Sequence, residues 1–156
     1  MQTKNQKAFS MIELIFVIVI IGILAAVAIP RFGESANQAH LSKAKNAVAI
    51  IQSAVTTERQ KLILSGQADT NITSLEAGAT TLFNNINGNT NIPALSNHVT
   101  HCNSGQYCWS KGSSGGNTTY TYYSGDANVM FTLSNNRFTC TVDATPSGKL
   151  CKFLTK

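Results

Sequence analysis

A continuous apolar run near the start of the chain limits how this protein can fold. Residues 14–29 are sixteen consecutive positions without a polar side chain, and the short stretch before them carries Lys4 and Lys7 but no acid. A basic head followed by an apolar run is typical of an export or membrane-targeting segment. Together with its apolar neighbours, the run reaches the short end of the roughly 17 to 25 residues that span a bilayer. We therefore predict a membrane helix over residues 9–30, with the lysines in the cytoplasm and the rest of the chain on the other side.

One acid, Glu13, lies just inside this apolar segment. A carboxylate in lipid costs on the order of a few kcal/mol unless it is paired, and residues 9–30 contain no Lys, Arg or His. One interpretation places Glu13 at the level of the lipid headgroups. The other requires a cation made by processing: cleavage between Ala8 and Phe9 creates an α-amino group four residues before Glu13, one helical turn away on the same face. The amine would come from the same chain or from a neighbour.

At this point the sequence resembles the prepilin-like proteins of type IV pili and type II secretion systems. The resemblance covers roughly residues 4–32 and includes a basic leader and a small residue before the cut. One departure is Ala8, since the family usually has glycine there. The other shared features are four positions of the apolar helix: Phe9, Glu13, Gly22 and Pro30.

The resemblance implies a series of processing and assembly steps. A prepilin peptidase would cleave after Ala8 on the cytoplasmic side, and its methyltransferase activity would methylate the new amine of Phe9. The mature chain would then assemble on an inner-membrane platform into a filament of pilin-like subunits, in which Glu13 neutralises a neighbour's amine. The expected location is the bacterial inner membrane, single-pass, with the head in the periplasm. The filament would be a periplasmic type II secretion pseudopilus or a surface type IV pilus.

Physical reasoning supports assembly independently of the family. Outside the bilayer, an apolar helix face avoids water only by packing on copies of itself, at about 25 cal/mol per Å² buried. Gly22 and Pro30 bracket a segment where we expect the helix to bend or unwind, because proline removes a backbone donor and clashes with the preceding turn. The alternative is that Pro30 is a helix boundary. The competing hypothesis for the whole protein is a monomeric membrane-anchored chain that keeps its leader.

Residues 31–66 are predicted to continue the helix in amphipathic form. Gly66 is the expected stop, as glycine often follows the last turn. A coiled coil is a weaker interpretation because the stripe is rich in alanine and short. Apolar positions recur at steps of three, four and seven and define one stripe: Leu41, Ala44, Val48, Ile51, Val55 and Leu62.

The remaining residues, 67–156, are predicted to form a globular β-rich head. Thr73 and Glu76 have the spacing of a capping box, which predicts a short helix through about Ile86. The fold class is therefore α+β and pilin-like: a long N-terminal helix whose first half spans the membrane and whose second half packs on a small antiparallel sheet.

Alternating segments near the C-terminus predict that sheet. We expect strands around Tyr120 and over residues 128–134 and 137–143, with Asn135 and Asn136 as the turn between the last two. These segments form an antiparallel meander of three or four strands. The glycine- and serine-rich residues 111–117 are predicted to be a flexible loop.

Four cysteines lie in the part of the chain predicted to be outside the cytoplasm. An even number in an oxidising compartment indicates two disulfides. Of the three pairings that exist, we favour Cys102–Cys108 and Cys140–Cys151, because each closes a local loop. The second pairing resembles the disulfide-bounded loop near the C-terminus of many pilins.

The alternative for the first pair is a metal site. His98 and His101 lie beside Cys102, with Cys108 downstream, but the spacing fits no standard zinc pattern. Some major pseudopilins of the family carry calcium, which needs clustered oxygen ligands; here Asp126 and Asp143 stand apart, among four acids in the head. We predict no metal and no cofactor.

Catalysis is not expected. Of the three histidines, His40 falls on the long helix, and no acid has the spacing to orient the other two. The sequence has no nucleotide-binding fingerprint. The net charge of +5 is spread along the chain without a block of like charge. The protein is therefore predicted to be structural and not an enzyme.

A second class of function gives the head a binding role. A minor pilin could bind DNA or a surface through Trp109 and Lys111, since an aromatic ring and a cation together stack on and neutralise nucleic acid. The alternative for Trp109 is a buried residue under the Cys102–Cys108 loop.

Overall fold

The structure is a computed structural model that describes residues 9–76, 78, 81–87, 93–96, 99–102 and 105–156. The chain divides into two compact units, Met1–Ala39 and His40–Lys156. Its elements in chain order are α1 (Met11–Leu64), β1 (Thr81–Leu82), β2 (Val99–Thr100), β3 (Cys108–Ser114), β4 (Asn117–Tyr123), β5 (Asn128–Ser134), β6 (Arg137–Cys140) and α2 (Pro146–Thr155).

Helix α1 is one continuous element of 54 residues. Pro30 lies inside it, so the interpretation of Pro30 as a helix boundary is wrong. Helix propagation is cooperative, and long helix-forming segments on both sides carry the helix through a single proline. The expected stop is confirmed: Gly66 has φ +77°, and the amide of Gln67 donates to the carbonyl of Leu62 at 2.8 Å. This is the Schellman pattern that ends many helices.

Within the second unit, the apolar stripe of α1 is buried as predicted. Val48 and Ile51 are fully covered and Val55 is 1% exposed, while Leu41 and Leu62 pack at the margins. Because a helix repeats every 3.6 residues, side chains at these steps face one direction. The stripe shares one hydrophobic core with the sheet.

Strands β3 to β6 form an antiparallel meander in chain order, as predicted. Asn135 and Asn136 form the two-residue turn between β5 and β6, with φ +49° and +58°. A second tight turn joins β3 and β4 at Gly115 and Gly116, both with positive φ. Both turns match the type I′ pattern, whose twist suits a hairpin. The predicted flexible loop over residues 111–117 is therefore wrong, because the two glycines supply a turn and the flanking residues pair as strands.

The inner face of this sheet is aromatic. Tyr120 and Tyr122 on β4 alternate with outward residues, as a strand requires, and both are at most 2% exposed. The rings of Phe131 and Phe138 stack 4.8 Å apart between β5 and β6. Phe83 meets Trp109 edge to face at 5.2 Å. Aromatic pairs at such distances contribute to core packing beyond area burial.

Two local predictions for the head need correction, and one element was not predicted. The helix expected from the Thr73–Glu76 pattern is not present among the described residues 73–76, 78 and 81–86, and strand β1 occupies part of that range. Glu76 is instead buried, where it contacts Lys111 and Tyr120. Strand β6 ends at Cys140, earlier than predicted. A short two-stranded ladder, β1 with β2, was not predicted.

Helix α2 is an element that the sequence reasoning did not find. Thr145 is its N-cap, and the hydroxyl of Thr145 accepts from the amide of Gly148 at 3.0 Å. Pro146 follows at the first helical position, where its missing N–H costs nothing. The sequence Thr145–Pro146 is the pattern from which the start of α2 could have been predicted.

Candidate functional site

The first candidate site is the exposed apolar segment at the start of α1. Its large apolar side chains from Phe9 to Ile29 are each 45–79% exposed. Among the described residues, α1 is the one helix long and apolar enough to cross a membrane, judged by length and composition. An exposed apolar surface of this size is unfavourable in water and marks a site of membrane or protein contact.

Glu13 lies in the first turn of α1, and its side chain is exposed. Its amide donates to the carbonyl of Ser10 at 3.1 Å, as does the amide of Leu14 at 3.2 Å. An acid in this turn is favoured by the positive end of the helix dipole. Phe9 precedes the helix and is 79% exposed. Ala8, the other residue of the expected cleavage site, lies outside the described residues.

Gly22 and Pro30 are both within the helical part of this segment. A Cβ atom built on Gly22 would meet nothing within 4 Å. Packing among the described residues of this chain therefore does not account for glycine at this position. The structure places Phe9 just before α1 and places Glu13, Gly22 and Pro30 within this helix.

In the head, Trp109 and Lys111 do not form a nucleic-acid platform. Trp109 is 3% exposed, and its ring is surrounded by Phe83, Tyr122 and Phe131. It is the buried residue of the alternative interpretation. A base cannot stack on a ring that is covered on all sides by protein, so DNA binding through this pair is wrong.

Lys111 has a different partner. Its Nζ lies 2.5 Å from Oε1 of Glu76, whose side chain is only 2% exposed. The second carboxylate oxygen of Glu76 accepts a hydrogen bond from the hydroxyl of Tyr120. That hydroxyl in turn accepts from the amide of Leu75 at 2.8 Å. A buried charge needs such partners, and here they fix the segment around Leu75 against the sheet.

The environment of Tyr120 favours its neutral form. Burial raises the pKa of the Tyr120 phenol well above its ordinary value, and the nearby Glu76 carboxylate raises it further. Burial likewise raises the pKa of Tyr122 to about 12, with a smaller contribution from Tyr107. Both phenols therefore remain protonated hydrogen-bond donors at neutral pH.

The cysteines form two disulfides in the structure. Cys102 and Cys108 are joined with a Cα–Cα distance of 6.2 Å, and Cys140 and Cys151 with one of 5.9 Å. The zinc alternative therefore lacks its two thiolates. His98 lies outside the described residues, and no group of three or more potential metal ligands occurs among those that are described.

His40 lies at the start of the second unit. Its ring stacks on that of Tyr107 at 4.3 Å, and Tyr107 has a positive φ of +58°. The two rings border a groove of about 390 Å³ that also includes Lys43 and Asn46. None of the described residues that line this groove is acidic.

The sequence did not predict the Glu76 group or two hydrogen bonds that asparagine side chains of the head accept. The Glu76–Lys111–Tyr120 group joins residues more than 30 positions apart, which local patterns do not detect. The side-chain oxygen Oδ1 of Asn87 accepts from the backbone N–H of Thr73 at 2.8 Å, and Oδ1 of Asn136 accepts from the backbone N–H of Ile72 at 2.5 Å. The only available signal was the run of asparagines, which favour turns and positive φ.

Comparison with known proteins places the N-terminal segment in context. Residues 3–29 match the family described as the prokaryotic N-terminal methylation motif. A fimbrial protein of Pseudomonas aeruginosa is 41% identical over 64 residues, which are 41% of this chain and 39% of that protein. A fimbrial protein of Moraxella nonliquefaciens is 42% identical over 55 residues, or 35% of this chain and 36% of that protein.

A third relative is the type IV narrow pilus major component PilA5 of Thermus thermophilus. It is 48% identical over 48 residues, which cover 31% of this chain and 41% of the relative. The chain thus spans about two fifths of the length of these curated relatives. No solved structure matches the chain significantly. The first part of the chain is therefore similar to the N-terminal segments of fimbrial proteins and of a type IV pilus component, and the long helix with its small antiparallel sheet has a pilin-like α+β architecture.

Proposed function

We propose that the protein is a pilin-like structural subunit that polymerises through the first half of α1. A prepilin peptidase cleaves between Ala8 and Phe9, the new amine is methylated, and residues 9–30 pack on those of neighbouring subunits. The observation that supports this most directly is the exposed apolar surface from Phe9 to Ile29, which carries the methylation motif. This surface needs lipid before assembly and other subunits after it.

The burial of this surface would drive assembly. Each square ångström of apolar area removed from water contributes about 25 cal/mol, but in exchanging lipid for protein the gain comes from close packing between helices. Small residues at helix contacts let backbones approach, and a Cβ atom on Gly22 would meet nothing within 4 Å in the described part of the chain. We assign Gly22 to such a contact and Pro30 to a site where the helix adapts its curvature.

Glu13 would set the register of each added subunit. In a filament core, an unpaired carboxylate is strongly unfavourable, whereas one paired to the methylated amine of Phe9 is tolerated at one axial position only. The pair selects alignment more than it adds stability. Its exposed position in the first turn leaves it available to a neighbouring chain.

The proposed location is the bacterial inner membrane, single-pass, with the head in the periplasm before assembly. The two disulfides support an oxidising compartment for the head. The partners are other pilin-like subunits, the prepilin peptidase with its methyltransferase activity, and an inner-membrane assembly platform. The names of the relatives, fimbrial proteins and a pilus component, favour a surface pilus over a type II secretion pseudopilus.

Intact-mass analysis of the membrane-extracted chain tests this function. We expect loss of residues 1–8 and addition of one methyl group at Phe9. Ala8→Leu should block cleavage, because a bulky residue replaces a small one at the cut, whereas Ala8→Gly should be processed as well as the original. A mature chain that still begins with Met1 would overturn the proposal.

A further inference from the structure

The segment that follows α1 contains an acceptor pattern for N-linked glycosylation. Residues 69–73 read DTNIT, and an asparagine with threonine two positions later, separated by a residue other than proline, is that pattern. Asn71 and Thr73 are both exposed. The segment lies between α1 and β1, in the kind of surface connection that carries such acceptors. Asp69, also exposed, adds a negative charge two residues before the asparagine.

The backbone around Asn71 is fixed to the head. Ile72 is 2% exposed and anchors the segment in the core. The backbone N–H of Ile72 donates to Oδ1 of Asn136 at 2.5 Å, and that of Thr73 donates to Oδ1 of Asn87 at 2.8 Å. The carbonyl of Asn71 accepts from Nδ2 of Asn87 at 3.2 Å. Because these contacts use backbone groups of residues 71–73, they hold the exposed carboxamide of Asn71 at a defined place on the surface.

The sequence contains one other such pattern, residues 117–119, which provides a comparison within the same chain. These residues pair with β3 in the antiparallel ladder, and Thr119 is 3% exposed. The residue two positions before this asparagine is Gly115, not an acid. By contrast, the hydroxyl of Thr73 lies 3.4 Å from Oδ1 of Asn87, a long hydrogen bond that an enzyme displaces at little cost. The first pattern is therefore the accessible one.

We propose that Asn71 is an acceptor for an N-linked oligosaccharide, transferred in the periplasm from a lipid diphosphate-linked donor by an oligosaccharyltransferase. The hydroxyl of Thr73 and the carboxylate of Asp69 are the groups of this chain that the transferase would contact. The inference rests on the proposed location of the head, on the side of the membrane where its disulfides also form. A glycan at this point is bulky and solubilising and would shield the asparagine hydrogen bonds that hold the segment.

The transfer balances without oxidation or reduction. Nδ2 of Asn71 forms a bond to the anomeric carbon of the first sugar while the bond from that carbon to a phosphate oxygen of the donor breaks. The lipid diphosphate leaves with the electron pair of the broken bond, and Nδ2 loses one proton to a base of the transferase.

The test is intact-mass analysis of the full chain, purified from membranes of the source organism in a non-ionic detergent. We expect a mass above that of the methylated mature polypeptide by one oligosaccharide. Electron-transfer fragmentation of the peptide that spans residue 71 should place the sugar on Asn71. Asn71→Gln should remove the added mass completely, whereas the matched control Asn117→Gln should keep it.

Two changes at Thr73 separate the need for a hydroxyl from a loss of folding. Thr73→Val, which replaces the hydroxyl with a methyl group of similar size, should abolish the modification. Thr73→Ser, which keeps the hydroxyl, should retain it. Asp69→Asn should lower the modified fraction if the transferase reads the acid. Circular dichroism confirms that each variant folds.

The mass spectrum keeps this inference distinct from the proposed function. A chain that has lost residues 1–8 and gained its methyl group but carries no sugar would overturn the inference and leave the processing intact. An oligosaccharide on a chain that still begins with Met1 would support the inference and contradict the processing. Sugar on Asn117 or on a hydroxyl side chain, or an unchanged mass shift in Asn71→Gln, would also overturn it.

Discussion

The two halves of helix α1 carry apolar residues of the same types, but these side chains are exposed in the first half and buried in the second. Before Ala39, the large apolar side chains from Phe9 to Ile29 are 45–79% exposed. After His40, the stripe through Val48 and Ile51 is fully covered by the head. The first half is apolar all round, while the second is apolar on one stripe. The single apolar face of an amphipathic helix can be buried by its own chain, but a helix that is apolar on all sides must be covered by lipid or by another molecule.

This difference separates folding from assembly. The second unit, His40–Lys156, contains the core that the stripe of α1 shares with the head. It also contains both disulfides, so its stability should not depend on residues 9–30. Those residues have no packing partner in the described chain and should instead determine whether subunits associate. Each prediction below changes one region and asks whether the other responds.

The largest effect is expected at Glu13. Glu13→Ala should reduce filament yield in the source organism by more than about tenfold, because in the proposed function it removes the counter-charge of the methylated amine. Sheared filaments are quantified by electron microscopy and immunoblotting. The thermal midpoint of the head should not change.

The matched control for Glu13 is Glu34→Ala, which removes another exposed acid from the same unit. It should assemble normally. Full assembly of the Glu13 variant, or an equal loss in both variants, would show that the register does not depend on this carboxylate.

Next in size is a pair of isoleucine substitutions in the two halves. Ile51→Ala should destabilise the head by about 2–5 kcal/mol, since the residue is fully buried and its loss leaves a cavity. Ile20→Ala, at a position 47% exposed, should leave head stability unchanged. Chemical denaturation followed by circular dichroism measures both. Similar effects of the two changes would contradict the separation of the regions.

A smaller effect is expected when the buried carboxylate of Glu76 loses its cation. Lys111→Met should cost about 1–3 kcal/mol, less than for a fully buried pair because the lysine side chain is 40% exposed. Adding Glu76→Gln should recover most of this loss, because the uncompensated charge is then gone. If the double variant is no more stable than the single one, the ion pair does not explain the position of Glu76.

The smallest effect concerns alkaline pH. Folding raises the pKa of Tyr122 from about 10 to about 12, so the stabilisation is fully present below pH 10 and is lost as pH rises towards 12. Between these two pH values, this phenol lowers the free energy of unfolding by about 1.4 kcal/mol per pH unit. Tyr122→Phe should make the fall shallower, whereas Tyr123→Phe, on the outer face of β4, should not. Unfolding curves across this range measure the difference.

The elements that follow periodicity could be predicted from the sequence. The stripe of α1, the stop at Gly66, the meander and the Asn135–Asn136 turn each depend on residues close together in the chain. The exposed segment with Glu13 was also identified from sequence, because it depends on the absence of any other charge nearby. Its pairing with a processed amine stays a prediction.

The features that the sequence did not predict depend on contacts between residues that are far apart in the chain. The Thr73–Glu76 spacing fits a capping box, but in the structure Glu76 pairs with Lys111 and accepts a hydrogen bond from Tyr120. Glycine-rich composition indicated a loop, yet Gly115 and Gly116 are the two positions that a tight hairpin requires. The burial of Trp109 follows from the packing of several strands and could not be decided from neighbours alone.

That burial has a practical consequence for measurement. Trp109 is the single tryptophan of the chain and lies wholly within the second unit. Its fluorescence emission is therefore a spectroscopic reporter of the head alone, which does not register changes in the lipid-soluble segment unless the head itself opens. A polymer of this protein would carry one such chromophore per repeat, so its emission gives the folded fraction of heads directly in the intact fibre.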